Sequence, residues 1–188
     1  MPTTPTSIHF GYQPDLPPLW GIREFISNGI DGETRNRHLD RGKFTIQYVQ
    51  RNQTLILRNE DITVSKNAML MGTSDSRQES ACIGQFGEGF PMSCLVIKRD
   101  PTMHITVFNG DEKWEPLIQR VAAYGSEPVL VFKTRRLRKD RGGFEIHVSG
   151  VSQEMATVDA EGIEHHVSAE TLSCFQRLIR KKYREPED

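Results

Sequence analysis

Cysteine is scarce in this chain. There are three in 188 residues, Cys82, Cys94 and Cys174, with no CxxC pair among them, which argues against a disulfide framework and against a structural zinc site. No apolar run approaches the roughly 18 residues of a membrane span, and no charged-then-apolar leader opens the sequence. Both absences predict a soluble, cytoplasmic protein. Excess charge is lacking too. Lys and Arg total 24 against 25 Asp and Glu, a formal net charge of −1, so no global field favours nucleic acid or an anionic membrane. A Walker GxxxxGK[ST] loop is missing, as are internal repeats and any clear linker. What remains is ordinary: 36% hydrophobic and 26% charged residues, globular values for one domain spanning 1–188.

The hydrophobic patterning predicts alternating elements. MPTTPTSIHF reads as a loose arm or an edge strand. DLPPLWGIREFISNGIDGETR reads as a helix capped by Asp15, with Pro17 and Pro18 in its first turn, where a missing N–H costs little. KFTIQYVQ and TLILRNED read as a hairpin turning around Arg51, Asn52 and Gln53. A polar, Gly/Ser-rich stretch over about 62–90 follows, with a short helical piece near Lys66–Met71, before Pro91 opens a second helix. Four strands come next, MHITVF, KWEPLIQ, PVLVFKT and FEIHVSGV, divided by turn signals at Asn109-Gly110-Asp111 and Asp140-Arg141-Gly142-Gly143. The last apolar pattern, Ser168–Tyr183, has helical period. The expected fold is α+β, a mixed and mostly antiparallel sheet with helices on one face. Its core covers about 15–151, and a helical extension covers about 152–188.

The first helix carries a polar stripe. At about 100° per residue, Glu24, Asn28, Asp31 and Arg35 fall within roughly 60° of one another. One reading is a solvated face with an ordinary Asp31–Arg35 pair. Gly29 and Gly32 point elsewhere, since each costs about 1 kcal/mol against alanine in a helix, and imply that something approaches the backbone. A carboxamide oxygen at Asn28 can ligate a hard cation such as Mg²⁺. A carboxylate one turn earlier, Glu24, can take a proton from a water aimed at a phosphate.

A glycine cluster, IGQFGEGF, places Gly84, Gly87 and Gly89 within six residues ahead of an apolar segment. In order along the chain, REFISNGID, LILRNEDI, MGTSDSR and IGQFGEGF resemble the N-box, the adenine-reading box, the lid and the glycine box of the GHKL ATPases. That superfamily includes gyrase, the ATP-driven heat-shock chaperone, the histidine kinases and the MutL proteins. The first and last boxes are nearest the chaperone's form. The resemblance runs from about Leu19 to Val96, and more weakly to about Val151.

It implies a Bergerat-type two-layer sandwich that binds ATP with Mg²⁺ under a closing lid. Glu24 then matches the general base, Asn28 the Mg²⁺ ligand and Asp31 an acid near the nucleotide, with Arg35 on the same stripe. Thr73 falls in the lid. Gly84, Gln85, Phe86, Gly87, Gly89 and Phe90 fall in the glycine box, whose backbone N–H groups approach the phosphates. This chain departs from the pattern at D-x-G-x-G, which here reads Asn59, Glu60, Asp61, Ile62 and Thr63. Either Asn59 or, after a two-residue shift, Asp61 would read the base. The Asn59 amide offers an acceptor oxygen, or an NH₂ that donates to a carbonyl instead. On the first account Asn59→Asp is expected to tighten ATP binding. A second departure puts Gly143 where the family often has threonine.

Other features have plainer readings. Arg135, Arg136, Arg138, Lys139 and Arg141 form a basic run at a hairpin tip, read first as a solvated turn. A nucleic-acid or acidic-partner contact is the second reading, although no aromatics interleave for base stacking. Arg177, Arg180, Lys181, Lys182 and Arg184 complement a helix C-terminus. His165-His166 lack a third ligand at useful spacing, and Cys82 is a small residue near the glycines. The expected activity is slow Mg²⁺-dependent ATP hydrolysis coupled to a protein partner or to dimerisation. Its rivals are a nucleotide-gated module without turnover, including a phage or mobile-element factor, and a histidine-kinase-like domain acting with a partner.

Overall fold

Residues of alternating polarity build the sheet and residues of helical period cover it. The computed structural model describes residues 2–70, 89–125 and 127–152. In chain order the elements are β1 (Thr3–His9), α1 (Pro18–Asn36), β2 (Phe44–Val49), β3 (Thr54–Glu60), α2 (Gly89–Lys98), β4 (His104–Asn109), β5 (Glu112–Arg120), β6 (Pro128–Arg136) and β7 (Gly143–Ser149). The seven strands form one sheet in the order β1-β6-β5-β4-β7-β3-β2.

All six neighbouring pairs are antiparallel, so the sheet is not the mixed one expected. The reason is the position of β7. The crossover through α2 makes β3 and β4 run the same way, but β7 enters between them and pairs antiparallel with both. The N-terminal stretch is an edge strand, with Pro5 opposite Val131. Proline is tolerated at an edge because its missing N–H leaves no ladder bond unmade.

One face of the sheet holds the core. Ile22, Phe25 and Ile26 of α1 and Met92, Leu95 and Val96 of α2 pack into one cluster with Leu55, Leu57, Val107, Ile146 and Val148. Both helices therefore lie on the same side, giving an α+β fold of two layers. They approach closely at Gly21, where a Cβ would lie 2.9 Å from Cγ1 of Ile97 and 3.0 Å from the Ser93 carbonyl.

Two helix starts differ from expectation. Asp15 does not cap α1. Pro17 is the N-cap residue, with φ −76° and ψ 157° and no side-chain cap bond. A residue preceding proline is driven out of the helical region, so the helix cannot begin before Pro18 and Asp15 falls two residues outside. The second helix already includes Gly89 and Phe90, ahead of the expected opening at Pro91.

The connection after β3 is tied to the sheet. Asn109 accepts from the Val64 N–H and donates to the Val64 carbonyl, both at 2.9 Å. A short 3₁₀ turn, Lys66–Met69, follows, and the Ser65 hydroxyl accepts from the Asn67 N–H at its start. The expected helix over Ser168–Tyr183 lies outside the described residues, as do His165, His166, Cys82 and Cys174. No described helix is long and apolar enough to cross a membrane.

Candidate functional site

The polar stripe of α1 divides into an open part and a buried part. Glu24 accepts from Arg23 Nη2 at 2.8 Å, and the Arg23 guanidinium lies 5.9 Å from the Trp20 ring centroid. Asn28 presents a buried Nδ2 with no hydrogen-bond partner. Both side chains point at the beginning of α2. A Cβ on Gly89 would sit 3.3 Å from Glu24 Oε2, 3.4 Å from Asn28 Nδ2 and 3.7 Å from Asn28 Oδ1. A carboxylate and a carboxamide thus share one spot beside Gly89 of α2. The Ser93 hydroxyl bonds back to the Gly89 carbonyl at 2.5 Å.

One turn further along, Asp31 is 1% exposed. Arg35 Nε donates to the Asp31 backbone carbonyl at 3.3 Å. The two glycines of this stretch owe their presence to the sheet. A Cβ on Gly29 would lie 2.1 Å from the Phe44 ring, and one on Gly32 would lie 3.2 Å from Asn59 Nδ2. The close approach inferred from these glycines is therefore made by β2 and β3.

Asn59 is 4% exposed. Its Nδ2 donates to the Gly29 carbonyl at 2.7 Å and to the Gly42 carbonyl at 2.9 Å. Both N–H groups of the amide are thereby committed, and Oδ1 is its remaining hydrogen-bonding atom. Asp61 lies on an exposed turn in the left-handed region, φ 55°, with its N–H bonded to the Gly142 carbonyl at 3.0 Å. Of the two candidate base readers, Asn59 belongs to the layer between sheet and helix, and Asp61 faces solvent. At Gly143 a Cβ would run 2.4 Å from the Asn59 carbonyl oxygen. Threonine has no room there, so the hydroxyl missing from the expected pattern is sterically excluded.

Thr73, Gly84, Gln85, Phe86 and Gly87 lie outside the described residues. Phe90 is described, and its ring packs inward. The ring centroid is 5.7 Å from that of Phe25, 5.9 Å from Phe132, 6.0 Å from Phe144 and 6.4 Å from Trp114. This aromatic nest anchors α2 at Phe90 over the sheet and so fixes Gly89 above Glu24 and Asn28. Among the described residues no group of three or more His, Cys, Asp or Glu is placed to hold a metal ion.

No protein-family model matches the chain. A stretch of 34 residues, 18% of this chain, is 59% identical to the transcriptional regulator MntR of Escherichia coli O6:H1 and equally to that of Escherichia coli O157:H7. The match spans 22% of each regulator, about a fifth of its length.

Sequence reasoning missed a second polar cluster, on the sheet face away from the helices. Glu145 of β7 is 3% exposed. It pairs with Arg58 of β3, with Arg141 Nη2 at 2.9 Å and with His147 Nε2 at 2.9 Å. Burial pushes its carboxyl up, but the bonds from Arg141 and His147 and the charges of Arg141 and Arg58 outweigh that and hold it below the usual range. The Arg141 guanidinium lies 4.2 Å from the Phe108 ring centroid. The one available signal was a lone glutamate between Phe144 and Ile146. Its partner Arg58 is 87 positions away, which no local pattern reveals. Cys94 is fully buried and unpaired. Burial raises its thiol pKa, so it is a packing residue rather than a nucleophile.

Proposed function

We propose that the chain binds ATP with Mg²⁺ at the junction of α1 and the start of α2, as a Bergerat-type domain of the GHKL kind. The observation that carries this reading is the convergence of Glu24 and Asn28 beneath Gly89. The orphaned Asn28 amide and the absence of a side chain at Gly89 leave a polar spot of the right composition for a phosphate and a hard cation. Mg²⁺ would be held on the protein side by Asn28 Oδ1, and bound there it would offset charge on the phosphate oxygens.

The backbone of α2 at Gly89 faces the phosphates. Glu24 Oε2 takes the proton of a water as that water's oxygen attacks the γ-phosphorus. The bond to the β–γ bridging oxygen breaks, and ADP and phosphate leave. Asn59, whose two N–H groups are held by Gly29 and Gly42, turns Oδ1 to an exocyclic amino group, which favours adenine. This orientation removes the reason to expect tighter binding from aspartate at position 59. Nucleotide state is passed on to a protein partner or a second copy.

A second reading, nucleotide binding without turnover, is favoured by the Arg23–Glu24 ion pair. That pair engages the carboxylate that would take the proton.

Calorimetry with Mg²⁺ and a non-hydrolysable ATP analogue, paired with a phosphate-release assay, tests both. The expected result is Mg²⁺-dependent binding, retained in Glu24→Ala while hydrolysis falls by about 10²–10⁴. Binding without hydrolysis in the parent selects the second reading. No binding at millimolar nucleotide overturns both.

A further inference from the structure

The basic run of the β6–β7 connection is part of a larger pattern that the strand register assembles. Arg135 pairs with Lys113 across β6 and β5, Lys113 with Phe108 across β5 and β4, Phe108 with Glu145 across β4 and β7, and Glu145 with Arg58 across β7 and β3. These five residues form one straight row across the sheet, on the face away from both helices. At about 4.8 Å per strand the row is about 19 Å long. Arg141 lies over its middle, against Phe108 and Glu145, so the row carries four cations and one acid that is buried beneath them.

The surroundings repeat this imbalance. Over residues 133–141, Lys133, Arg135, Arg136, Arg138, Lys139 and Arg141 face a single acid, Asp140, in a chain whose net charge is −1. The acids within reach are engaged. Asp111 takes Arg136 at 2.6 Å, and Asp140 Oδ1 accepts from the Gly142 N–H at 2.7 Å. Glu115 takes Lys113 at 2.5 Å and feels the charges of Lys113, Arg135 and Lys133 together. Among the described residues, the exposed Arg135, Arg138 and Lys139 have no ion-pair partner. Like charges directly opposite each other across a strand pair, as at Lys113 and Arg135, destabilise a sheet. A partner carrying a line of negative charge removes that cost.

We propose that this transverse basic row is a docking surface for the phosphate backbone of double-stranded DNA. About 19 Å equals the rise of about five to six base pairs at 3.4 Å each, so the row can follow one edge of a duplex. Its single aromatic, Phe108, is covered by Arg141, and no ring is free to stack on a base. Binding is therefore through phosphate and independent of sequence. It needs no nucleotide and stands apart from the α1–α2 site.

The test is fluorescence anisotropy of the full chain with a labelled 20-base-pair duplex at several salt concentrations, without ATP. The parent is expected to bind with a Kd of about 10⁻⁴ to 10⁻⁶ M, weakening steeply as salt rises. The double variant Arg135→Glu, Arg138→Glu alters two exposed side chains and should melt like the parent. It is expected to bind at least about tenfold more weakly, with a salt slope shallower by about one to two. Lys181→Glu, Lys182→Glu is the control for the other basic cluster and should leave the slope unchanged. The proposal falls if the parent does not bind the duplex at about 50 mM salt. It also falls if the Arg135/Arg138 variant binds unchanged, or if only the Lys181/Lys182 variant loses binding. A polyglutamate peptide bound as tightly as the duplex in the same buffer overturns it in favour of an acidic protein partner.

Discussion

Replacing Asn59 with aspartate is a change of one atom that reverses the chemistry of a buried contact. Nδ2 of Asn59 bonds the Gly29 carbonyl at 2.7 Å and the Gly42 carbonyl at 2.9 Å, joining β3 to α1 and to the loop before β2. Aspartate keeps the shape and loses both donors, so an oxygen faces two carbonyl oxygens. Each lost bond removes about 0.5–1.5 kcal/mol net, and each stranded acceptor adds about 1–3 kcal/mol. The Gly29 carbonyl lies inside α1 and keeps its place in the helix ladder, so the lower end of the range applies there. The expected loss is about 3 kcal/mol. In a chain of 188 residues that lowers Tm by roughly 6–12 °C. Asn59→Ala, which loses the bonds without adding a repelling oxygen, should fall between parent and aspartate. Burial and the two carbonyls raise the introduced carboxyl's folded pKa above its unfolded value. The deficit of Asn59→Asp therefore shrinks as pH drops, because the protonated form is neutral and can donate one bond. Thermal melts followed by circular dichroism at about pH 7.5 and pH 5 measure all three proteins. An aspartate variant that melts within about 2 °C of the parent at both pH values refutes Asn59 as a tether.

Gly143→Thr would force a Cβ to within 2.4 Å of the Asn59 carbonyl. It should cost about 1–3 kcal/mol of stability, measured by urea denaturation, and a neutral result contradicts the steric account. Glu145→Gln removes the charge that faces Arg58, Arg141 and His147. Because Arg58 and Arg141 are 31% and 41% exposed, solvent screens them, and the expected loss is about 1–2 kcal/mol at neutral pH. The folded pKa of Glu145 lies below its ordinary value of 4.5. Its contribution is thus present above that value and is lost as pH falls through the folded pKa. The parent should therefore lose more stability on acidification than Glu145→Gln, and parallel acid titrations of the two would contradict this.

Much of the fold was legible because its elements announce themselves locally. TLILRNE and FEIHVS alternate with period two, and the Gly and Asp clusters between strands mark their turns. Pro17 and Pro18 signalled a helix start, yet Asp15 was the wrong cap, since the proline pair itself dictates where helical φ and ψ can begin. The antiparallel character of the whole sheet was not legible, because it depends on β7 choosing the gap between β3 and β4. For the site, the spacing of Glu24 and Asn28 was readable on one helix. That Gly89 sits above them depends on Phe90 burying its ring among Phe25, Phe132, Phe144 and Trp114, a contact among five separate elements. The Asn59 amide was readable as an acceptor or as a donor to a carbonyl, and the Gly29 and Gly42 carbonyls, far from it in sequence, take its two N–H groups. Glu145 and the cationic row were invisible because register across distant strands leaves no mark on neighbouring residues.

Among the described strands, the one that joins β4 to β3 is the last to be synthesised. Until residues 143–149 leave the ribosome, the nascent chain holds two ribbons, β2–β3 on one side and β1 with β4–β6 on the other. Each then presents an unsatisfied edge where β7 will lie. Such long-range pairing slows folding and lengthens the exposure of those edges. A message truncated before β7 would release a product with two adhesive edges rather than a smaller working domain. Quality control of this protein therefore falls on its final third.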